Sequence, residues 1–196
     1  AKPEFFMHQE PAADSQPEIL PVSRGLIVAT HETGLMGSRE AKDILTDRAQ
    51  SASRRPEGES VLLLAHGMGA DSENERVVEA MDSISAALRK VGFASVSVAT
   101  LREDWDEKRV IAERQIRDYV STESAAGRRV IVVPMRLSGF GPYAEVLSGL
   151  EYTPTEGLLP HPSVSDWIRD TAARVICEAG WASPLAVCGT EALAKR

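Results

Sequence analysis

No stretch of the 196-residue sequence approaches the ~20 consecutive apolar residues that cross a bilayer, so no membrane partner is expected. Basic clusters are missing too. The net charge is −7, and Arg54-Arg55 and Arg128-Arg129 are isolated pairs beside turns, which argues against a nucleic-acid partner. Cysteine is scarce: the two present, Cys177 and Cys188, fit no zinc motif and read as free thiols, one on a helix and one in a tail. A disulfide between them would require an oxidising compartment. A glycine-rich loop ending in lysine is also lacking, so no nucleotide cofactor is expected. No signal peptide is recognisable, although a chain that starts at Ala1 rather than Met is compatible with prior processing. The expectation is a soluble protein, cytoplasmic rather than extracytoplasmic.

What is present is a globular pattern, with an apolar fraction of 43%. Its organising stretch is Ser60-Val61-Leu62-Leu63-Leu64-Ala65-His66-Gly67. The apolar run reads as a strand buried on both faces, as in a parallel sheet. Downstream the alternation is regular. Ser72 to Val91 reads as a helix, with Val77, Met81, Ile84 and Leu88 on one face, Ser72 and Glu75 in capping-box spacing, and Gly92 as its stop. Ala94 to Thr100 reads as a second strand, Asp106 to Ala126 as a second helix and Arg129 to Pro134 as a third strand. Tyr143 to Leu150 reads as a short helix or turn, with a weak fourth strand near Leu150 to Thr155. Ser163 to Ala179 reads as the last helix, with Val164, Trp167, Ile168, Ala172, Val175 and Ile176 inward. Strands separated by helices of this length imply right-handed crossovers and a doubly wound α/β fold. The sheet is expected to be four-stranded and mostly parallel, with helices on both faces and the Ser60 strand central.

Residues 1–58 read as an N-terminal extension. It opens with Pro3, Pro11, Pro17 and Pro21 among polar residues, then offers a possible strand at Gly25 to Ala29 and a helix at Ser38 to Ala52. That is too little for an independent core, so Ile44 and Leu45 should bury against the main domain or a second copy of it. The main domain is placed at 59–183, with a C-terminal tail at 184–196.

The chemistry is expected where strands hand over to helices, because ligand crevices of open α/β sheets lie at the carboxyl ends of the strands. His66 occupies such an end. It reads as a metal ligand or general base, or as a histidine that only caps the strand by hydrogen bonding. Met68 and Gly69 make the following loop small and apolar, which suits a flat hydrophobic ligand better than a phosphate. Beyond the third strand come Arg136, then the Ser138-Gly139-Phe140-Gly141-Pro142 loop, Tyr143 and Glu145. Glu145 is a candidate metal or proton acceptor, or an exposed helix residue. Arg136 is a candidate partner for a carboxylate ligand or for Glu145. Glu103, Asp104 and Asp106 read as carboxylates favoured by a helix N-terminus, with an acidic rim as the alternative. His161, between Pro160 and Pro162, reads as structural, and His8 and His31 as surface residues.

The run Leu62-Leu63-Leu64-Ala65-His66-Gly67, followed by Asn74-Glu75 opening a helix, resembles the class II chelatases. The group most like it is the sirohydrochlorin cobaltochelatase and ferrochelatase family. Val132-Val133-Pro134-Met135 resembles that family's third strand, and Gly157-Leu158-Leu159-Pro160-His161-Pro162 its segment before the last helix. The resemblance spans roughly Glu59 to Gly180. It implies insertion of a divalent metal, cobalt or ferrous iron, into a sirohydrochlorin-type tetrapyrrole, the metal being a substrate. It implies His66 and Glu145 as catalytic residues, His66 as metal ligand, and Gly67, Met68, Gly139 and Tyr143 against the macrocycle. It also implies pairing with a second chelatase-like domain or a homodimer. This sequence departs from the family pattern at two places. His-Gly-Ser-Arg is replaced by His66-Gly67-Met68-Gly69, and no histidine lies near Pro142, where a second one is expected. With the helix before the linker, this points to the second half of a duplicated protein, residues 1–58 being the tail of the preceding unit. Two function classes stay open: a metal chelatase, and a degenerate chelatase-fold module that binds metal, tetrapyrrole or a partner without turnover.

Overall fold

The computed structural model describes residues 34–180 and Cys188. The expected strand at Gly25 to Ala29, the proline-bearing arm, His8, His31 and all of the tail but Cys188 lie outside the described residues. The elements are α1 (Arg39–Ala52), β1 (Glu59–Ala65), α2 (Asp71–Val91), β2 (Ser95–Thr100), α3 (Asp106–Ala125), β3 (Arg129–Met135), α4 (Tyr143–Val146), β4 (Thr153–Pro154) and α5 (Pro162–Glu178). The four strands are parallel in the order β2-β1-β3-β4, so β1 is interior. The fold is doubly wound α/β.

Each residue of β1 is buried, and its side chains alternate between two layers. Val61, Leu63 and Ala65 join Ile131 and Val133 of β3 beneath α1 and α2. Leu62 and Leu64 join Val130 and Val132 on the other face, beneath Ile116 and Val120 of α3 and Val146 of α4. Each fully buried leucine contributes about 1.5–3 kcal/mol, which is why the central strand is so strongly apolar. The α2 face predicted from spacing is the one buried: Met81, Ile84 and Leu88. Gly92 ends that helix at φ +103, a left-handed cap that favours glycine. Ile44 and Leu45 of α1 are fully buried in the same layer as Val61 and Leu63.

Three local expectations are corrected. The capping box of Ser72 and Glu75 does not form, because α2 starts one residue earlier, after Ala70, and its N-cap has no side-chain bond. The inward face of α5 narrows: Val164 is buried, Trp167, Val175 and Ile176 are half-buried, and Ile168 and Ala172 are exposed. The principal neighbour of α5 is α1, and β4 beside it has only two residues, so there is little sheet for the helix to cover. Cys177 and Cys188 are not free thiols: they form a disulfide, their Cα atoms 5.4 Å apart.

Two buried carboxylates hold the amino-terminal end of the sheet. Glu59 accepts hydrogen bonds from the Ser53 hydroxyl, from the backbone N–H of Arg54 (3.0 Å) and from Arg129 (2.7 Å), tying the end of α1 to β1 and β3. Burial alone would raise its pKa, but those bonds outweigh it and hold the carboxyl below its ordinary value. Glu123 of α3 accepts from the Ser60 hydroxyl and from Arg128 (2.7 Å), with the same net result. Among the described residues no helix is long and apolar enough to cross a membrane.

Candidate functional site

The strands end together, β1 handing over to His66, β2 to the segment Leu101 to Trp105 and β3 to Arg136. Since α2 and α4 leave neighbouring strands β1 and β3 on opposite faces, the chain switches direction between these two strand ends, the place where open α/β sheets form their ligand crevice. Backbone pairing runs on past the strands. Leu101 donates to the Ala65 carbonyl (2.9 Å) and Arg102 to the His66 carbonyl (2.6 Å), so the residues after β2 lie beside His66. Arg102 then takes φ +57, the only positive φ outside glycine among the described residues. That conformation costs roughly 1–2 kcal/mol for a residue with a Cβ, and it sits where the chain must turn toward the crevice.

The turn places two carboxylates on one imidazole. Nδ1 of His66 is 3.3 Å from Glu103, and Nε2 is 3.1 Å from Asp104. The other Glu103 oxygen accepts from Arg136. Arg136 in turn lies over the ring of Tyr143, 5.6 Å from its centroid. Burial works against the Arg136 charge, but Tyr143 and Glu103 outweigh it and push its pKa up. The two acids differ in freedom: the Glu103 side chain is 13% exposed and that of Asp104 72%. Glu103 is the fixed partner that sets the ring's orientation, and Asp104 the exchangeable one. Trp105 packs its ring edge-on against His66, 6.0 Å between centroids.

The loop after His66 is clamped from two directions. The Asn74 side chain accepts from the Met68 N–H at 3.1 Å. Arg102 donates to the carbonyls of Met68 (2.7 Å) and Gly69 and to Asp71 (2.6 Å), and Lys108 donates to the Gly69 carbonyl and Asp71. Gly67 has φ +85, and a Cβ there would come within 2.7 Å of both Asn74 and Thr100. A Cβ on Gly69 would overlap the Trp105 indole. Both glycines are therefore required by close packing under the loop.

The residues expected from sequence fall into two groups. His66, Gly67 and Met68 lie at the crevice, with Arg136 opposite. Arg136 pairs with Glu103 rather than with Glu145. Tyr143 is fully buried against Phe140, beneath the site rather than facing a ligand. Burial pushes its phenol up to about 12, and among the described residues its buried hydroxyl makes no hydrogen bond within 3.5 Å, although the Arg136 guanidinium lies nearby. Gly139, at φ +67, has open space around its Cα. Glu145 is exposed on α4, and its electrostatic influence falls on Arg109. His161 caps α5, Nδ1 accepting from the Ser163 N–H at 3.2 Å.

Sequence reasoning passed over Glu103 and Asp104 by assigning them to the helix dipole. The helix starts at Asp106, after both of them. The usable signal was positional: they follow β2 as His66 follows β1, and parallel strands bring those ends together. Among the described residues, no group of three or more His, Cys, Asp or Glu is arranged to hold a metal ion. No protein-family model matches this chain, and no curated protein or solved structure is similar to it at a significant level.

Proposed function

We propose that the crevice at the ends of β1 and β3 is a proton-accepting site for insertion of a divalent metal, cobalt or ferrous iron, into a sirohydrochlorin-type tetrapyrrole. The observation that carries this reading is the His66 ring between Glu103 and Asp104. A neutral imidazole has one N–H and can donate to only one of these carboxylates, whereas an imidazolium donates to both. With its N–H directed at the buried Glu103, the neutral ring keeps Nε2 as a proton acceptor. Metal insertion needs such a group, because M²⁺ replaces two pyrrole N–H protons and both must leave. His66 takes the two protons one after the other at the nitrogen facing Asp104, and the exposed Asp104 passes each to water before the next is taken. Glu103, neutralised on its far side by Arg136, keeps the ring in register. The resemblance of the strand–His66–Gly67 turn and of the Pro134 strand to class II chelatases supplies the substrate class. It also supplies the pairing with a second such domain, or as a homodimer, that would close the crevice.

A second reading has its own support. Both His66 nitrogens are already engaged, so a metal can bind the ring only by displacing Asp104, and the first shell offered is small. That favours a module that binds metal or tetrapyrrole without turnover. One experiment separates the two. Cobalt or ferrous insertion into sirohydrochlorin is followed by absorbance for wild type, His66→Ala and Glu145→Gln. Loss of roughly 10²–10⁴-fold in His66→Ala, with Glu145→Gln close to wild type, is the expected result for the base described here. Equal rates in wild type and His66→Ala remove His66 from the mechanism. An inactive wild type that still binds sirohydrochlorin establishes the binding module.

A further inference from the structure

A second recess lies outside the crevice. It is a cavity of about 520 Å³ along the edge of β2 that is unpaired among the described residues, between α2 and α3, a size that suits a small organic ligand. Its floor is the strand from Ser97 to Thr100, which spans about 10 Å. Its walls mix apolar and polar side chains: Val78 and Asn74 from α2, and Ile111, Ile116, Gln115 and Tyr119 from α3. Ile111 is among the exposed large hydrophobic residues of the protein. The Tyr119 hydroxyl, 3.1 Å from Ser95, lies toward the beginning of the strand. At the opposite end, where β2 finishes, the lining turns cationic, with Arg102 and Lys108.

These two cations converge on a single acceptor. Arg102 Nη1 is 2.6 Å, and Lys108 Nζ 2.8 Å, from the same oxygen of Asp71. The Asp71 side chain is 73% exposed, so the bond that occupies both cations is one that water and other anions can reach. A trough lined in part by Val78, Ile111 and Ile116, with two cations at one end whose exposed partner is a surface carboxylate, is complementary to a molecule with an apolar body and one carboxylate. We propose that this recess is a ligand site for an amphipathic monocarboxylate, whose headgroup takes the place of Asp71 on Arg102 and Lys108. The exchange leaves intact the bonds from Arg102 to the Met68 and Gly69 carbonyls. The loop after His66 thus stays clamped while the site fills, and none of His66, Glu103 and Asp104 lines the recess.

The test uses the whole chain and sodium octanoate as the probe, with octanol and acetate as controls, followed by amide chemical shifts and calorimetry. Octanoate should give saturable shifts at Ser97 to Thr100, Asn74 and Ile111. Octanol lacks the headgroup and acetate the body, so each should bind at least about tenfold more weakly. Lys108→Met should weaken octanoate by about tenfold. Asp71→Asn should tighten it by about two- to fivefold, because the competing surface carboxylate is gone. A structural defect would not produce that gain. The proposal is overturned if octanol binds as tightly as octanoate, if Asp71→Asn binds octanoate no better than wild type, or if millimolar octanoate leaves the Ser97 to Thr100 amides unmoved.

Discussion

Glu103 spans the crevice between two strand ends, one carboxylate oxygen 3.3 Å from Nδ1 of His66 and the other accepting from Arg136. This contact joins the ends of all three long strands. It also makes Glu103 a positioning residue. Glu103→Gln should keep the fold, since the amide still reaches Arg136, but it no longer offers a carboxylate to Nδ1 of His66. The expected loss in sirohydrochlorin metalation is about 10- to 100-fold in the rate at saturating substrate. The imidazole nitrogen chemical shifts of His66 should change, because the carboxylate facing Nδ1 is replaced by an amide. Unchanged His66 ring signals would show that Glu103 does not act on the ring.

Much of the scaffold is legible in the sequence because it is local. The run Val61 to Leu64 announces a strand buried on both faces, and the spacing of Met81, Ile84 and Leu88 announces the covered face of α2. The site is less legible because it is assembled across distance. Nothing near Glu103 in sequence indicates that Arg102 will turn back at φ +57 and carry it to His66. Glu145 looked attractive through its closeness to the loop after β3, yet α4 carries it to the surface while Tyr143 of the same turn goes inward. For α5 the periodicity was misleading in a different way. An apolar stripe is present, but which part is covered depends on the neighbour, and α1 covers mainly the first turn.

That reading of α5 makes a sharp contrast between two residues of one stripe. Val164 is 5% exposed and Ile168 56%. Ile168→Lys should change unfolding free energy by no more than about 0.5 kcal/mol, as at ordinary surface positions. Val164→Ala should cost about 1–3 kcal/mol through the lost burial. Urea unfolding of both variants measures this. A larger cost at Ile168 would mean that its face is covered in solution, for instance in the pairing of two copies.

Acid should weaken the protein through the amino-terminal end of the sheet. Glu59 and Glu123 have folded-state pKa values below their ordinary value of 4.5. In acidic solution the unfolded chain therefore binds more protons than the folded one, and stability falls with pH. The contribution is complete above about pH 5 and is lost as pH drops through 4.5 toward the folded values. Glu59→Gln should lower stability at pH 7 by about 1–3 kcal/mol and flatten the acid limb of the curve. Unfolding free energies at pH 7, 5, 4 and 3 for wild type and Glu59→Gln provide the comparison, and parallel acid limbs would exclude Glu59 as a source of the slope.

The loop after His66 gives the last prediction. Gly67 and Gly69 are tight for different reasons. At Gly67 the backbone itself is left-handed, φ +85, and a Cβ would also meet Asn74 and Thr100 at 2.7 Å. Asn74 holds the Met68 N–H, so it cannot withdraw without losing that bond. Gly67→Ala should therefore cost at least about 2 kcal/mol, from the conformation and the overpacking together. At Gly69 φ is not left-handed, and the obstacle is the Trp105 indole alone. The indole can move, but it packs edge-on against His66, so its displacement is felt at the site. Gly69→Ala should then cost less stability than Gly67→Ala, while changing the Trp105 fluorescence and the His66 ring signals more. Gly69→Ala paired with Trp105→Phe, a smaller ring, should recover most of the stability lost by the single change. Two effects that simply add, with no recovery, would show that the Gly69–Trp105 contact does not limit the loop.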